Sequence, residues 1–149
     1  MNAVSFAVLL PALLVAHNVA DHWVQTHHQA ITKGKPGRTG TLACVRHVGS
    51  YTGITTLVVL AMWLLFALPL TVLGVVAGQL VSAGTHYWAD RQFTLARLAD
   101  QVGKGGFYRF GAPREGHDDN QSLGTGAYAL DQSWHWFWLL IAAVATVAI

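Results

Sequence analysis

The stretch His17-Asn18-Val19-Ala20-Asp21 closes the first long apolar run of the chain, and His86-Tyr87-Trp88-Ala89-Asp90 closes the third. Both read His-x-x-x-Asp. On a helix, residues i and i+4 share a face, so each stretch sets an imidazole beside a carboxylate. Asp131 and His135 form the same pair in reverse order within the last apolar run. An ionisable side chain inside an apolar span is costly, and it is kept with a partner or a task. Three such pairs in 149 residues predict convergence on one polar site, with a metal as its leading occupant. The plainer reading is three His–Asp hydrogen bonds that tie helices together.

Outward from these pairs the chain is 53 % hydrophobic and only 11 % charged, with six tryptophans. That is a membrane composition with room for one domain, residues 1–149. Four apolar segments are expected, over 4–25, 41–68, 70–90 and 123–149. Each is near the roughly 20 residues that span a bilayer. The expected fold is all-α, a four-helix transmembrane bundle. No Lys or Arg precedes the first run, and the run continues past His17, so it reads as a retained span rather than a cleaved signal. Pro11 inside it is tolerated in a membrane helix and predicts a kink. The positive charges fall in a basic loop, 29–40, and a longer polar loop, 101–122. The positive-inside rule puts both loops in the cytoplasm and both termini outside, in a multi-pass protein of the cytoplasmic (inner) membrane. Lipid is the expected surroundings, a homo-oligomer is compatible, and the net charge of +2 is no nucleic-acid signal. Gly103-Lys-Gly-Gly106 lacks the spacing of a phosphate-binding Walker loop. Cys44 is the single cysteine, so no intrachain disulfide exists, and it reads as a small packing residue.

The halves of the chain echo one another. Ala16-His-Asn-Val-Ala-Asp21 matches Thr85-His-Tyr-Trp-Ala-Asp90, and each is followed by a segment carrying a further histidine, His47 or His135. Two spans per unit make this a parallel duplication. It places His17, Asp21, His47, His86, Asp90, Asp131 and His135 at one level, near the cytoplasmic mouth. Helices that each supply His and carboxylate to a bundle core are how bundles build metal sites. Seven N and O donors exceed the needs of one tetrahedral zinc, so one or two divalent transition ions are expected: Zn, Fe or Mn, with Cu allowed. So many imidazoles disfavour calcium. One of Asp21, Asp90 and Asp131 would act as general base toward metal-bound water. Gln25 and Gln132 would orient ligands, and Arg46 and Arg91 would meet an anionic substrate. Gly74, Gly78, Ser82 and Gly84 form a small-residue stripe for close helix packing.

The series His17-x-x-x-Asp21-x-x-x-Gln25, His47, His86-x-x-x-Asp90 and Asp131-Gln-x-x-His135 resembles a bacterial and phage integral membrane family, catalogued as domain of unknown function 3307. The resemblance covers nearly the whole chain except the middle loop, and Leu130-Asp-Gln-Ser-Trp-His135 is its strongest local match. It implies the fold and the polar positions, and it carries no assigned reaction. Where that family often has Lys after the second pair, Arg91 stands here.

The leading functional expectation is a metal-dependent membrane enzyme, hydrolase-like, acting on a lipid or a small anionic substrate. An oxidative version with two irons or coppers would share the ligand set. Transport of a metal ion or proton is the second reading, although Val4–Val15 and Leu57–Leu68 offer no continuous polar path. A structural or regulatory membrane protein held by His–Asp hydrogen bonds is the third.

Overall fold

The computed structural model describes residues 2–112 and 125–149, and every regular element among them is helical. Asn2 caps the first helix, its side chain accepting from the backbone N–H groups of Val4 and Ser5. Helix α1, Ala3–Val19, runs on through Pro11. It then widens into a π-helical turn, Ala20–Val24, closed by the Gln25 N–H on the Ala20 carbonyl at 2.9 Å. The chain leaves the helix at Gln25. Thr26 and Gln29 form a reciprocal capping box and start a separate short helix, α2, His27–Thr32. The expected continuation of the first segment through 26–29 is therefore broken by this cap. The basic loop shrinks from the expected 29–40 to residues 33–36, because Gly37 already opens α3, Gly37–Leu65.

Thr71 caps α4, Val72–Asp90. The third segment does not continue straight to Asp100. Gln92 takes a positive φ of 56°, and the Phe93 N–H bonds back to the Arg91 carbonyl, a γ-turn of the strained hand. The turn redirects the chain into α5, Phe93–Gln101. Helix α6, Gly105–Tyr108, lies inside the expected 101–122 loop. The remainder of that loop from 113, and the expected start of the fourth segment at 123, lie outside the described residues. Helix α7, Gly126–Ala148, is capped by Thr125.

The four long helices pack in a closed ring, with α1 on α3, α3 on α4, α4 on α7 and α7 on α1. One end of the ring is filled by Leu9, Leu13, Val59, Val75 and Leu139. The other end holds the polar residues. Two helices, Ala3–Val24 and Gly37–Leu65, are long and apolar enough to cross a bilayer. Helices α4 and α7 do not reach that hydropathy, because Gln79, Ser82, His86 and Asp90 dilute one, and Asp131, Gln132, Ser133 and His135 the other. Four spans read from the sequence thus become two by composition.

The small-residue stripe works at the α4–α7 contact. A Cβ on Gly78 would lie 2.0 Å from the Thr146 hydroxyl and 2.8 Å from the Ala142 carbonyl, and one on Gly74 2.4 Å from the Thr146 carbonyl. Gly84 meets nothing within 4 Å and is outside the stripe. Gly78→Ala is therefore expected to cost about 1–3 kcal/mol through overpacking. Gly84→Ala should be neutral or gain up to about 1 kcal/mol from helix propensity. Thermal unfolding of both variants, followed by helical circular dichroism in detergent, checks the pair.

Candidate metal centre

The bundle gathers all four predicted histidines at its polar end. The ring centroids of His86 and His135 are 4.3 Å apart, His17 and His135 5.0 Å, His47 and His86 5.1 Å, and His17 and His86 5.8 Å. All four rings are buried. Asp21 and Asp90 reach into the same cluster from the ends of α1 and α4. The Nε2 atoms of His47 and His86 lie 3.0 Å apart. Asp90 Oδ2 is 3.1 Å from the first and 3.3 Å from the second. Asp21 Oδ1 is 3.5 Å from each. Neither of these carboxylate oxygens makes a hydrogen bond among the described residues, although both are buried. The Nε2 atoms of His47 and His86 are therefore each approached by both carboxylates rather than pairing off one to one. The wide turn matters here, since it carries Asp21 across the bundle toward α3 and α4.

The remaining two imidazoles are held by their neighbours. His135 Nδ1–H donates to the Asp131 carbonyl at 2.8 Å, which leaves the Nε2 lone pair buried and unpartnered among the described residues. His17 Nε2–H donates to Gln132 Oε1 at 3.3 Å, which turns Nδ1 toward Asp21 Oδ2 at 3.7 Å. Gln132 in turn donates to Asp131 Oδ2 at 3.3 Å, so it orients both groups. His17 and His135 thus each have one nitrogen fixed by an outer partner, as ligating imidazoles do, whereas Nδ1 of His47 and of His86 is buried without a hydrogen-bond partner among the described residues. Three sets of donors lie within 4.8 Å of one another: His17, Asp21 and His86; His47, His86 and Asp90; Asp90, Asp131 and His135.

Two residues outside the sequence reading complete the centre. Lys33 Nζ donates to Asp90 Oδ1 at 2.8 Å, leaving Oδ2 to face the imidazoles. Burial pulls this ammonium down, and the Asp90, Asp21 and Asp131 carboxylates outweigh it, holding Lys33 above the ordinary lysine range. Tyr51 stacks on His86 at 3.8 Å and shares a 2.7 Å hydrogen bond with Ser82. One turn deeper, Thr55 donates to Gln79 at 2.9 Å. This ladder of polar pairs across α3 and α4 ends at Val59 and Val75, in the apolar core. No spacing rule pointed to Lys33, which in the sequence is one loop cation among several. Tyr51 was legible, one helical turn from His47.

The two predicted arginines take no part in the cluster. Arg46 is exposed and lines an outer groove with His28 and Arg38. Arg91 is buried, but it binds the Lys35 carbonyl at 2.9 Å and Thr41 at 3.3 Å, tying the α2–α3 connection to α4. Gln25 lies just past the π-turn with its amide nitrogen buried and unpartnered among the described residues. Cys44 is a buried packing residue against the Tyr87 carbonyl.

A cavity of about 290 Å³ opens beside the cluster. Lys33, Asp90, Tyr108, Tyr128 and Asp131 give it polar walls, and Leu95 an apolar one. Asp90 and Asp131 belong to both, since each lines the cavity and the two lie with His135.

A family model described as "Protein of unknown function (DUF3307)" matches residues 9–149. No curated protein and no solved structure matches the chain.

Lys33 and Asp90 form a buried ion pair, with side chains 12 % and 2 % exposed. Lys33→Met is expected to cost about 3 kcal/mol or more, because it leaves a buried carboxylate uncompensated. Lys33→Met/Asp90→Asn should recover part of that loss in a double-mutant cycle of chemical unfolding. While Asp90 is ionised, the raised lysine contributes fully below its free value of 10.5, and this contribution is lost as pH rises through the higher folded value. An alkaline titration of unfolding should therefore show its loss only above that value.

Proposed function

The chain belongs to the DUF3307 family, and from that premise we propose that it is a membrane-embedded, metal-dependent enzyme of hydrolytic type. The observation that carries this reading is the tetrad of His47, His86, Asp21 and Asp90. The five separations that involve its imidazole nitrogens run from 3.0 to 3.5 Å. Four N and O ligands around a tetrahedral zinc-sized ion, at about 2.0–2.1 Å each, stand about 3.3 Å from one another. Charge supports the same reading. Asp21, Asp90 and Asp131 bring three carboxylates to one end of the bundle, and Lys33 is the one cation bonded to them among the described residues. Two further positive charges balance the site, and one divalent ion supplies both.

The flanking residues have separable tasks. His17 and His135 offer additional nitrogen donors for a second ion, with Zn, Fe or Mn suited to this set. A bound ion would bring the pKa of a water ligand toward about 7 and polarise a substrate oxygen. Asp131 is placed to accept a proton, since its carboxylate faces the cavity and Gln132 and His135 fix its orientation. Lys33, Tyr108 and Tyr128 present a cation and two phenols to an anionic or polar group in the cavity. The polar ladder stops at the apolar core, which favours a site reached from one end over a path through the bundle.

A bilayer explains the outer surface. Only 33 % and 17 % of the most apolar windows of Ala3–Val24 and Gly37–Leu65 are buried inside the protein. Helix α4 adds exposed Val72, Leu73 and Leu80. So large an exposed apolar surface belongs against lipid, with α4 and α7 as further spans and the basic residues at the cytoplasmic side.

Elemental analysis of detergent-purified protein tests the centre. About one equivalent of Zn, Fe or Mn per chain is expected in the wild type. Asp21→Asn/Asp90→Asn should lose it while remaining helical, and Asp131→Asn should keep it. Folded wild type that takes up no metal, even on reconstitution, would sink the proposal and leave protonated imidazoles as the balancing charge.

A further inference from the structure

A second cavity, of about 240 Å³, lies between α5 and α7. Its walls are Leu98, Ala99, Val102, Leu130, Trp134 and Phe137, with Lys104 as the single charged residue among its lining. Leu95 lines both this slot and the polar cavity beside the metal centre, so the two spaces share one wall. The slot exists because α5 packs on α4 and α6 and stands off α7. The strained turn at Gln92 sets α5 at that angle.

The slot is a built wall rather than a loose gap. Trp134 donates its indole N–H to the Thr85 carbonyl at 3.3 Å and stacks on Trp88 at 4.5 Å. Leu95 and Ala99 anchor α5 from below. An apolar slot that shares its Leu95 wall with a polar, charged cavity matches a molecule with two ends of opposite character. The surroundings fit a bilayer surface: Phe107 and Phe110 of the neighbouring segment are exposed, and Arg97 and Lys104 flank α5.

We propose that the α5–α7 slot holds an acyl chain of a membrane lipid, whose polar end enters the cavity at Lys33, Tyr108 and Asp131. This rests on the enzyme reading above and names its substrate class. Leu95 would divide chain from head group, and Lys104 would sit at the rim where the chain leaves the slot.

Photolabelling in nanodiscs tests it, using phosphatidic acid with a diazirine near the end of one acyl chain. Labels are expected to concentrate on Leu98, Val102 and Phe137, above the level on lipid-facing Leu57 and Leu64. Ser133→Trp, at an exposed position lining the slot, should cut the slot labelling about tenfold. Val102→Glu should do the same by making the slot polar. Both variants should retain their metal, because neither residue touches the centre. Uniform labelling of slot and outer helices, or labelling that survives both variants, overturns the lipid proposal while leaving the metal reading in place. Slot labelling that both variants abolish, in a wild type that binds no metal, keeps the lipid site and removes the metal reading.

Discussion

Three carboxylates share one end of this bundle, and among the described residues Lys33 is the single ammonium bonded to them. Most of the local structure can be understood as an answer to that imbalance. Burying an uncompensated charge costs several kcal/mol, so the groups around it must be fixed and close. Lys33 is held in place at the C-terminal end of α2, where its backbone N–H donates to the Gln29 carbonyl at 2.9 Å, and by Arg91, which grips the Lys35 carbonyl. The ammonium takes one oxygen of Asp90, and the other oxygen turns inward. The strong cation of the region, Arg91, is spent on backbone and hydroxyl groups, so it relieves none of the carboxylate charge. The imidazoles are left to face two carboxylate oxygens that make no hydrogen bond among the described residues.

The two halves meet this constraint differently. Helix α4 stays α-helical to Asp90, so His86 and Asp90 remain neighbours on one face at 3.3 Å. After His17 the chain widens into a π-turn, and the pair opens to 3.7 Å. Asp21 is thereby shared with His47 and His86 rather than kept for His17. A repeat that looks symmetric in sequence becomes asymmetric in space. One copy supplies a ligand pair, and the other lends its carboxylate across the bundle.

How far the sequence could be read follows from what each feature depends on. The His-x-x-x-Asp spacing depends on helix periodicity alone, and the three pairs it marks lie together in the structure; His47 has no such partner and was legible only through the repeat. The arginines show the limit of that logic. Arg46 shares a depth with His47 but is rotated by about 100° on the helix, which turns it outward. Arg91 follows the last residue of α4, where the turn at Gln92 rather than helix geometry decides its direction. Lys33 was invisible because its place depends on two short connections folding back over α4, a tertiary fact with no local period. The expected four spans met the same difficulty from the other side. The polar residues that make α4 and α7 useful to the site are those that lower their hydropathy.

That trade suggests why the site sits where it does. The rungs His47–His86, Tyr51–Ser82 and Thr55–Gln79 lose ionisable character step by step, and Val59 and Val75 then close the line. The two inner rungs, Tyr51–Ser82 and Thr55–Gln79, each complete a hydrogen bond across α3 and α4, so the polar region extends inward only as far as such pairs can be made. Beyond that depth no partner is left, and Leu9, Leu13 and Leu139 take over. The cluster is thus confined to one end by hydrogen-bond supply as much as by hydrophobicity. A centre confined in this way, with a polar cavity and an apolar slot on its open side, has its approach fixed by the same packing that keeps its charges buried.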